Sequence, residues 1–467
     1  MYSESKISES RNNRKHPPVL KWVNHASYII SCRSIHLMTD PWLFGSAFDN
    51  GWDLLSKSEF DIKDFNSITH IWFSHEHPDH FAPQVLVKIP EEVRRKITVL
   101  FQVTKDKRVY KFLKKLNFNI VELDNRKSYK LDEGNVVTCG KMRGIDSWLL
   151  QEINGKKILN INDCVIDTTE KAKSILNTTG EIDILLTQFS YANWVGNPED
   201  KSLREIEAKK KLECIRMQCE IFKPKKVIPF ASFVYFSHKE NNYHNDLINK
   251  ISTVEDYLKR NCKPVPIILY PGDTWDLQSK IINDQALMRY EKDYDLTNAQ
   301  FHQSDPSIEI SSLISMSKKY IENIKKKNNG LFLLMLLPKK YGMKELSIYI
   351  CDIDKYCIFT LKNGLKIVDK LECSDITIWS SSLAYIFKHE WGIGSVLVNG
   401  RFRASKFGRL AFDRMFMASI FNSTDIYITF GFLINRFLIK LFRVKDLTTE
   451  EEVSYHKAWK RLIKKSV

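Results

Sequence analysis

The chain has 467 residues, of which 43% are hydrophobic and 12% aromatic, and this composition excludes an intrinsically disordered protein. The length predicts two domains, and no apolar run approaches the ~18 residues of a membrane span, so no stable membrane insertion is expected. The formal net charge of +15 predicts affinity for anions. Because aromatic residues do not interleave with the lysines, this charge favours a small anionic substrate, and nucleic acid is not expected as a partner.

Cysteine usage and the N-terminus indicate a cytoplasmic protein. Nine cysteines are scattered without a Cys-x-x-Cys pair, which is typical of reduced thiols. Residues 1–16 are polar and charged and lack the apolar core of a secretory signal. We therefore expect a disordered tail at 1–16 and a folded chain from residue 17 onward.

The first folded segments predict a β-hairpin followed by a loop. Residues 18–30 and 34–40 are rich in apolar and β-branched side chains, as expected for its two strands. The loop starts with Asp40-Pro41-Trp42-Leu43 and continues through residues 45–52, with the sequence GSAFDNGW.

Residues 74–81, with the sequence SHEHPDHF, form the most informative motif of the chain. They follow the apolar run 68–73, which predicts a short buried strand. Side chains alternate along a strand, so His75 and His77 should point the same way, and Pro78 then ends the extended run. Imidazole nitrogens beside a carboxylate oxygen suit Zn²⁺, Fe or Mn. The predicted metal ligands of this motif are His75, His77, Asp79 and His80.

Alternating strand and helix patterns continue downstream. Asn154-Gly155 predicts a tight turn between strands at 147–152 and 157–161, and the second strand leads into Asn162-Asp163-Cys164. The other predicted elements are strands at 97–103, 129–131, 136–139, 182–186 and 226–230 and helices at 108–116 and 202–222.

The amino-acid sequences of these segments resemble those of a known family. Asn24-His25-Ala26, the Asp40-Pro41-Trp42-Leu43 loop and the SHEHPDHF motif are similar to the metallo-β-lactamase part of the CMP-N-acetylneuraminate hydroxylases. They are more distantly similar to ascorbate-6-phosphate lactonases and N-acyl-phosphatidylethanolamine phospholipases D. The resemblance implies an α/β fold, the αβ/βα sandwich of the metallo-β-lactamase superfamily, for a catalytic domain at residues 17–290.

The resemblance also implies roles for individual residues. One metal would be bound by His75 and His77, the second by Asp79 and His80, and Asp163 would bridge both. Asp79 and Asp163 are the implied catalytic residues, with Asp79 as ligand or general base. His25 and Trp42 would line the substrate cleft. The implied cofactors are one or two divalent metal ions, Zn or Fe, with Mn left open.

Two ligand positions depart from the family pattern. The histidine expected after the strand near residue 136 has no counterpart in residues 141–146, where Asp146 is the one side chain of ligand type. The last histidine is expected just after Val227-Ile228-Pro229, yet Ala231 stands nearby. His238 and His244 are candidates to replace it from a loop, each either at the metal or at the substrate; we assign His238 to the metal and His244 to the substrate. A site with more oxygen ligands favours Fe or Mn.

The C-terminal part predicts a second α/β domain at 308–467, after a polar linker at 291–307. Its predicted elements are a helix at 308–327, strands at 331–338, 346–351, 357–361, 365–369 and 375–379, and a helix at 382–389. The Gly-Arg-Phe turn at 400–402 resembles a sterol-carrier-type module; a lid or dimerisation domain is the alternative, so a homodimer is left open. The apolar stretch 412–442 predicts a core or dimer helix, with an interfacial helix as the alternative.

Three functions follow from these patterns. The first is hydrolysis of an anionic substrate, phosphorylated, sugar-nucleotide or lipid-like, through a metal-activated water. The alternative is an iron-dependent hydroxylase that resembles CMP-N-acetylneuraminate hydroxylase and needs a reductase, because the chain has no Cys-x-His ligand pattern of a Rieske centre. A nucleic-acid binding module that uses the positive charge ranks last.

Overall fold

The computed structural model describes residues 17–142, 144–297, 300–331, 345–405, 407–424 and 426–433. The predicted tail at 1–16 and most of the predicted strand at 331–338 lie outside the described residues. Two compact units divide the chain. Unit 1 comprises Met1–Ala192, Ser202–Ser237 and His244–Phe301, and unit 2 comprises Asn193–Lys201, His238–Tyr243 and His302–Val467.

Unit 1 contains sixteen strands and seven α-helices among its described residues. The strands are β1 (Val19–Asn24), β2 (Ser27–Cys32), β3 (Ile35–Thr39), β4 (Trp52–Leu54), β5 (His70–Trp72), β6 (Thr98–Gln102), β7 (Asn119–Leu123), β8 (Ser128–Asp132), β9 (Asn135–Lys141), β10 (Ser147–Ile153), β11 (Lys156–Asn160), β12 (Ile184–Gln188), β13 (Lys226–Phe230), β14 (Val234–Phe236), β15 (Val265–Pro266) and β16 (Thr274–Trp275). The helices are α1 (Pro83–Leu86), α2 (Glu91–Arg94), α3 (Arg108–Lys115), α4 (Thr169–Thr179), α5 (Lys201–Phe222), whose first residue falls in unit 2, α6 (Ile251–Asn261) and α7 (Asp284–Thr297). Two 3₁₀ helices cover Ile62–Ser67 and Asn242–Leu247.

Two seven-stranded sheets form the framework of unit 1, in the orders β16-β1-β2-β3-β5-β6-β7 and β15-β13-β12-β11-β10-β9-β8. One hydrophobic core takes side chains from both sheets, and the Tyr28 hydroxyl of one donates to Gln151 Oε1 of the other at 3.0 Å. β12 reads ILLTQ and is buried over nearly its whole length, as expected for a parallel strand covered on both faces. The predicted α/β sandwich is confirmed.

The strand directions place several loops at one edge of each sheet. β1 and β3 both run antiparallel to β2, and β5 runs parallel to β3, so the loops after β1, β3 and β5 leave the first sheet on the same side. In the second sheet β11, β12 and β13 are parallel, and β10 is antiparallel to β11. The start of β10 therefore lies at the edge where β11 and β12 end.

Unit 2 is built on a five-stranded sheet in the order β19-β18-β17-β20-β21. Its strands are β17 (Leu346–Ile350), β18 (Lys355–Thr360), β19 (Gly364–Val368), β20 (Ile376–Ile378) and β21 (Phe402–Ala404), and its helices are α8 (Ile310–Lys327), α9 (Ser380–Lys388), α10 (Gly392–Asn399), α11 (Gly408–Met415) and α12 (Met417–Asn422). β17 alternates buried and half-buried residues because one face of the sheet packs on its own core. The α/β character of this region agrees with the prediction, while its likeness to a sterol-carrier module stays a prediction.

Some predicted boundaries differ from the structure. Residues 291–297 of the predicted linker belong to helix α7, because Tyr290 and Tyr294 pack into the core of unit 1. The predicted apolar helix at 412–442 is divided between α11 and α12, and residues 434–442 lie outside the described part. None of the described helices combines the length and apolar composition of a membrane-crossing segment.

Candidate metal centre

The loop after β5 brings its ligand side chains together through a tight turn. The main-chain amides of His80 and Phe81 both donate to the carbonyl of His77, at 3.0 and 2.7 Å. The turn places the rings of His75 and His77 4.5 Å apart and those of His75 and His80 4.3 Å apart, measured between centroids. His75, Asp79 and His80 are at most 2% exposed. Local sequence alone therefore gathers three imidazoles and a carboxylate.

A first ligand group consists of His75, His77 and Asp146, whose ligand atoms all lie within 4.8 Å of one another. Asp146 stands directly before β10, and the amide of Met142 donates to the Asp146 carbonyl at 2.9 Å, which closes this short loop. Its Oδ1 lies 3.9 Å from Nε2 of His75. Asp146, the candidate for the position where the family pattern has a histidine, therefore lies next to His75 and His77.

A second group consists of His25, Asp79 and His80. Nε2 of His25 lies 3.4 Å and Nε2 of His80 lies 3.2 Å from Oδ2 of Asp79. The sequence assigned His25 and Trp42 to the substrate cleft. Both are buried here, their rings lie edge to face at 5.8 Å, and the Trp42 indole donates to the Gly45 carbonyl at 2.9 Å.

A third group, His75, His80 and Asp163, links the two sheets. Oδ2 of Asp163 lies 3.1 Å from Nε2 of His80, and Oδ1 accepts a hydrogen bond from the Gln188 side chain at 3.2 Å. Asp163 follows β11 and Gln188 ends β12, so both come from the edge of the second sheet. Asp163 lies between the two other groups, where the resemblance implied a bridging ligand.

Asp40 supports the centre from behind, a role that the sequence did not suggest. This fully buried carboxylate accepts hydrogen bonds from the Ser74 amide at 2.8 Å, the Ser74 hydroxyl at 2.7 Å and the Asn162 side chain at 2.6 Å. It also lies 3.0 Å from Nδ1 of His80. The sequence signal that could have identified Asp40 is its position directly after β3, the strand that pairs with β5 before the motif.

The ionisation of the site follows from its burial and its excess of carboxylates. Burial lowers the pKa of His75 well below its usual value, and the neighbouring His80 and His77 lower it further. Burial opposes the charged form of His80, but Asp79, Asp163 and Asp40 hold its pKa well above the usual value. Burial, with the charge of Asp163, raises the pKa of Asp146 to about 7. A divalent cation among these groups would neutralise the concentrated negative charge.

The donor set therefore fits a metal ion. Neutral imidazoles and carboxylates are the forms in which these side chains bind metals. In addition, Nε2 of His75 lies 2.8 Å from Nδ1 of His77, so these two ring nitrogens are close enough to bind one cation together. A cation can accept both lone pairs, which a hydrogen bond between the rings cannot do.

His238 and His244 do not join any of the three groups. His238 belongs to unit 2, where its Nδ1 accepts a hydrogen bond from the Glu240 amide at 3.2 Å. His244 is buried in unit 1 with its ring 4.8 Å from that of Phe236. The metal role of His238 and the substrate role of His244 both stay predictions.

Comparisons with known proteins support the metallo-β-lactamase fold. A family profile described as a beta-lactamase superfamily domain matches residues 19–202. The cytidine monophosphate-N-acetylneuraminic acid hydroxylase of Xenopus laevis is 24% identical over 281 residues, which cover 56% of this chain and 46% of the relative. The Sus scrofa enzyme of the same name is 24% identical over 272 residues, 54% of this chain and 61% of the relative.

The chain thus spans about half the length of the curated relatives it matches. Among solved structures, CmlA, a diiron β-hydroxylase from Streptomyces venezuelae, is similar with 15% identity and a TM-score of 0.41, over 56% of this chain and 54% of CmlA.

Proposed function

Through residues 19–202 this chain belongs to the metallo-β-lactamase superfamily, and from that premise we propose that it is a metal-dependent enzyme acting on an anionic small molecule in the cytoplasm. The observation that carries the proposal is the convergence of His75, His77 and Asp146 from two sheets on one small volume. The positive net charge supports an anionic substrate through long-range attraction.

The reaction that the donor set favours is hydroxylation with iron and dioxygen. His75, His77 and Asp146 supply two imidazoles and one carboxylate, the combination typical of non-haem iron oxygenases. The relatives named above are hydroxylases of a sugar nucleotide, so a substrate of that class is the natural choice. On the support of these two observations we rank hydroxylation first and hydrolysis second, the reverse of the order in the sequence analysis.

The proposed reaction needs an external reductant. One oxygen atom of dioxygen enters a substrate C–H bond, and the other leaves as water after taking up two electrons and two protons. A separate reductase would supply the electrons. Bound iron would supply the activation of dioxygen, which no side chain of the chain can provide.

The chain's own residues hold the site and define its open side. His75 and His80 are almost fully buried, whereas the side chains of Asp146 and Asp163 are each 21% exposed. A substrate would therefore approach from the side of these two carboxylates. Gln188 holds Asp163 in place, and the ammonium group of Lys211 donates to Gln188 in turn. The Gln188 side chain therefore links the ammonium group of Lys211 to the partly exposed carboxylate of Asp163.

Hydrolysis is the second candidate, favoured by the carboxylates that line the same site. A bound metal ion would supply a water of lowered pKa. Asp163 has one oxygen bonded to Gln188 and is open to solvent, so it could accept a proton from such a water. Asp79 is less suited because His80 and His25 hold its pKa well below the usual range, although burial opposes this.

Metal analysis of the full chain, purified without added metal, tests both candidates. Bound iron, an optical change on exposing the reduced protein to air, and oxygen uptake with CMP-N-acetylneuraminate as probe would support hydroxylation. Zinc alone, with turnover of bis(p-nitrophenyl) phosphate, would support hydrolysis instead.

The Asp146→His variant provides the matched comparison. Replacing the carboxylate by an imidazole should shift the bound metal from iron towards zinc and abolish the optical change. A wild-type chain that binds neither metal, under conditions where it is folded, would overturn the proposal.

A further inference from the structure

His25 has an environment that its predicted role at the substrate does not explain. It lies in the turn between β1 and β2, and its side chain is 1% exposed. Among the described residues, neither ring nitrogen has a hydrogen-bond partner. Burying an unpaired polar group is energetically costly. A residue so deeply placed cannot contact a substrate directly, and its two nitrogens require another explanation.

The atoms around His25 are those of metal ligands. Its Nε2 lies 3.4 Å from Oδ2 of Asp79, and Oδ1 of the same carboxylate is buried and has no hydrogen-bond partner in the part of the chain that the structure describes. Nε2 of His80 lies 3.2 Å from the shared Oδ2, and its Nδ1 faces Asp40 on the opposite side. Three ligand atoms thus lie within 4.8 Å of one another, one from each residue.

An ordinary buried ion pair accounts less well for this arrangement. A histidine that served only to balance Asp79 would donate a well-aligned hydrogen bond of about 2.7–2.9 Å to the carboxylate. The observed separation of 3.4 Å is longer, and the contact does not meet hydrogen-bond geometry. A cation between the ring and the carboxylate would satisfy both groups.

A main-chain hydrogen bond holds His25 within reach of Asp79 and His80. The amide of Ala231, the residue after β13, donates to the carbonyl of His25 at 2.9 Å. Ala231 stands near the place where the sequence led us to expect the last histidine ligand, and its methyl group cannot bind a metal. His25 approaches from the first sheet directly beside it.

We infer that His25 is a ligand of the second metal ion, which it binds together with Asp79 and His80. This inference rests on the proposed function and adds a ligand to the same site. Besides the carboxylate of Asp163 between them, each ion then has two imidazoles and one carboxylate, His75, His77 and Asp146 at the first position and His25, His80 and Asp79 at the second. His25, in the turn between β1 and β2, thus takes the place of the histidine that the family pattern predicts after Pro229.

Zinc binding by the full chain tests the inference independently of turnover. Apo-protein is titrated with Zn²⁺ alone in a calorimeter, and bound zinc is counted by mass spectrometry after desalting. The wild type should bind two ions per chain. His25→Ala should keep the first ion at unchanged affinity and bind the second more than about 100-fold more weakly, beyond the 10–100-fold effect of an outer partner.

Three reference variants identify the position that is lost. His77→Ala should lose the first ion, Asp79→Ala should lose the second, and the His25→Ala, His77→Ala double variant should bind neither. His36→Ala removes an imidazole of unit 1 that belongs to none of the three groups, and should bind two ions. If His25→Ala does not fold, His25→Gln is tested in its place, and retention of the first ion confirms an intact site.

The possible failures are distinguishable. A His25 variant that binds two ions with wild-type affinity would overturn the ligand assignment and leave the proposed metalloenzyme standing. A reduction of 10–100-fold in second-site affinity would make His25 an outer partner and also overturn it. A folded wild-type chain that binds no zinc and no iron would overturn the proposed function itself.

Discussion

Oδ2 of Asp40 lies 3.0 Å from Nδ1 of His80, where the end of β3 meets the loop after β5. This contact directs Nε2 of His80 towards Asp79 and Asp163, at 3.2 and 3.1 Å. A carboxylate behind a metal-binding histidine fixes the orientation of the ring and raises its basicity. Asp40 is therefore the residue through which the first sheet positions His80, a ligand of the proposed second metal position.

Asp40→Asn should weaken binding of the second ion by about 10–100-fold while the first ion binds as before. The amide would present a donor to Asn162 and to His80, both of which donate to the carboxylate in the wild type. Zinc titration calorimetry measures the effect. Glu133→Gln, which neutralises an exposed carboxylate of the same unit, is the control. Unchanged affinity in Asp40→Asn would contradict the positioning role.

Arg401→Ala should destabilise unit 2 by about 3–5 kcal/mol, because it leaves the buried carboxylate of Glu240 without its cation. The Arg401 side chain is fully buried, and its guanidinium donates to Glu240 at 2.8 Å and to Asp305 at 2.6 Å. Arg403→Ala, two residues further along and exposed in β21, should change stability by less than about 0.5 kcal/mol. Urea denaturation of both variants makes the comparison, and equal losses would show that the buried network is not the cause.

Acidification should destabilise unit 2 through His238. Burial, followed by the charge of Arg401, lowers the pKa of His238 from 6.5 to about 4. Between these values the unfolded chain binds more protons than the folded one, so stability is complete above pH 6.5 and falls as the pH drops towards 4. The slope from this residue is at most about 1.4 kcal/mol per pH unit.

Comparing His238→Gln with the wild type isolates this contribution. Urea denaturation at pH 7 and at about pH 5 should show a smaller acid-induced loss in the variant, by up to about 2 kcal/mol. Glu240, Asp305 and Arg401 face the same cluster and titrate, or stay charged, in both proteins. A difference between variant and wild type that does not depend on pH would refute the prediction.

Local patterns in the sequence were sufficient for the elements and for the central motif. The apolar run before residue 74 becomes β5, the Asn154-Gly155 pair turns between β10 and β11 with positive φ at both residues, and the predicted helix at 202–222 is α5. His75, His77, Asp79 and His80 were predictable as a cluster because they lie within six residues, and a strand end followed by one turn brings such neighbours together.

The sequence offered distant candidates such as Asp146 and Asp163, and the tertiary structure decided which distant residues join that cluster. Asp146 and His25 are separated from the motif by about 70 and 50 residues of sequence, and their approach depends on strand order and register in two sheets. Spacing alone gave no reason to prefer His25 over His238, since each is a single histidine in a loop. The sequence by itself determined the chemistry of the ligands, because side-chain type and local geometry are set residue by residue. The composition of each metal position came from the packing of the two sheets, because long-range pairing alone brings separate strand ends to a common edge.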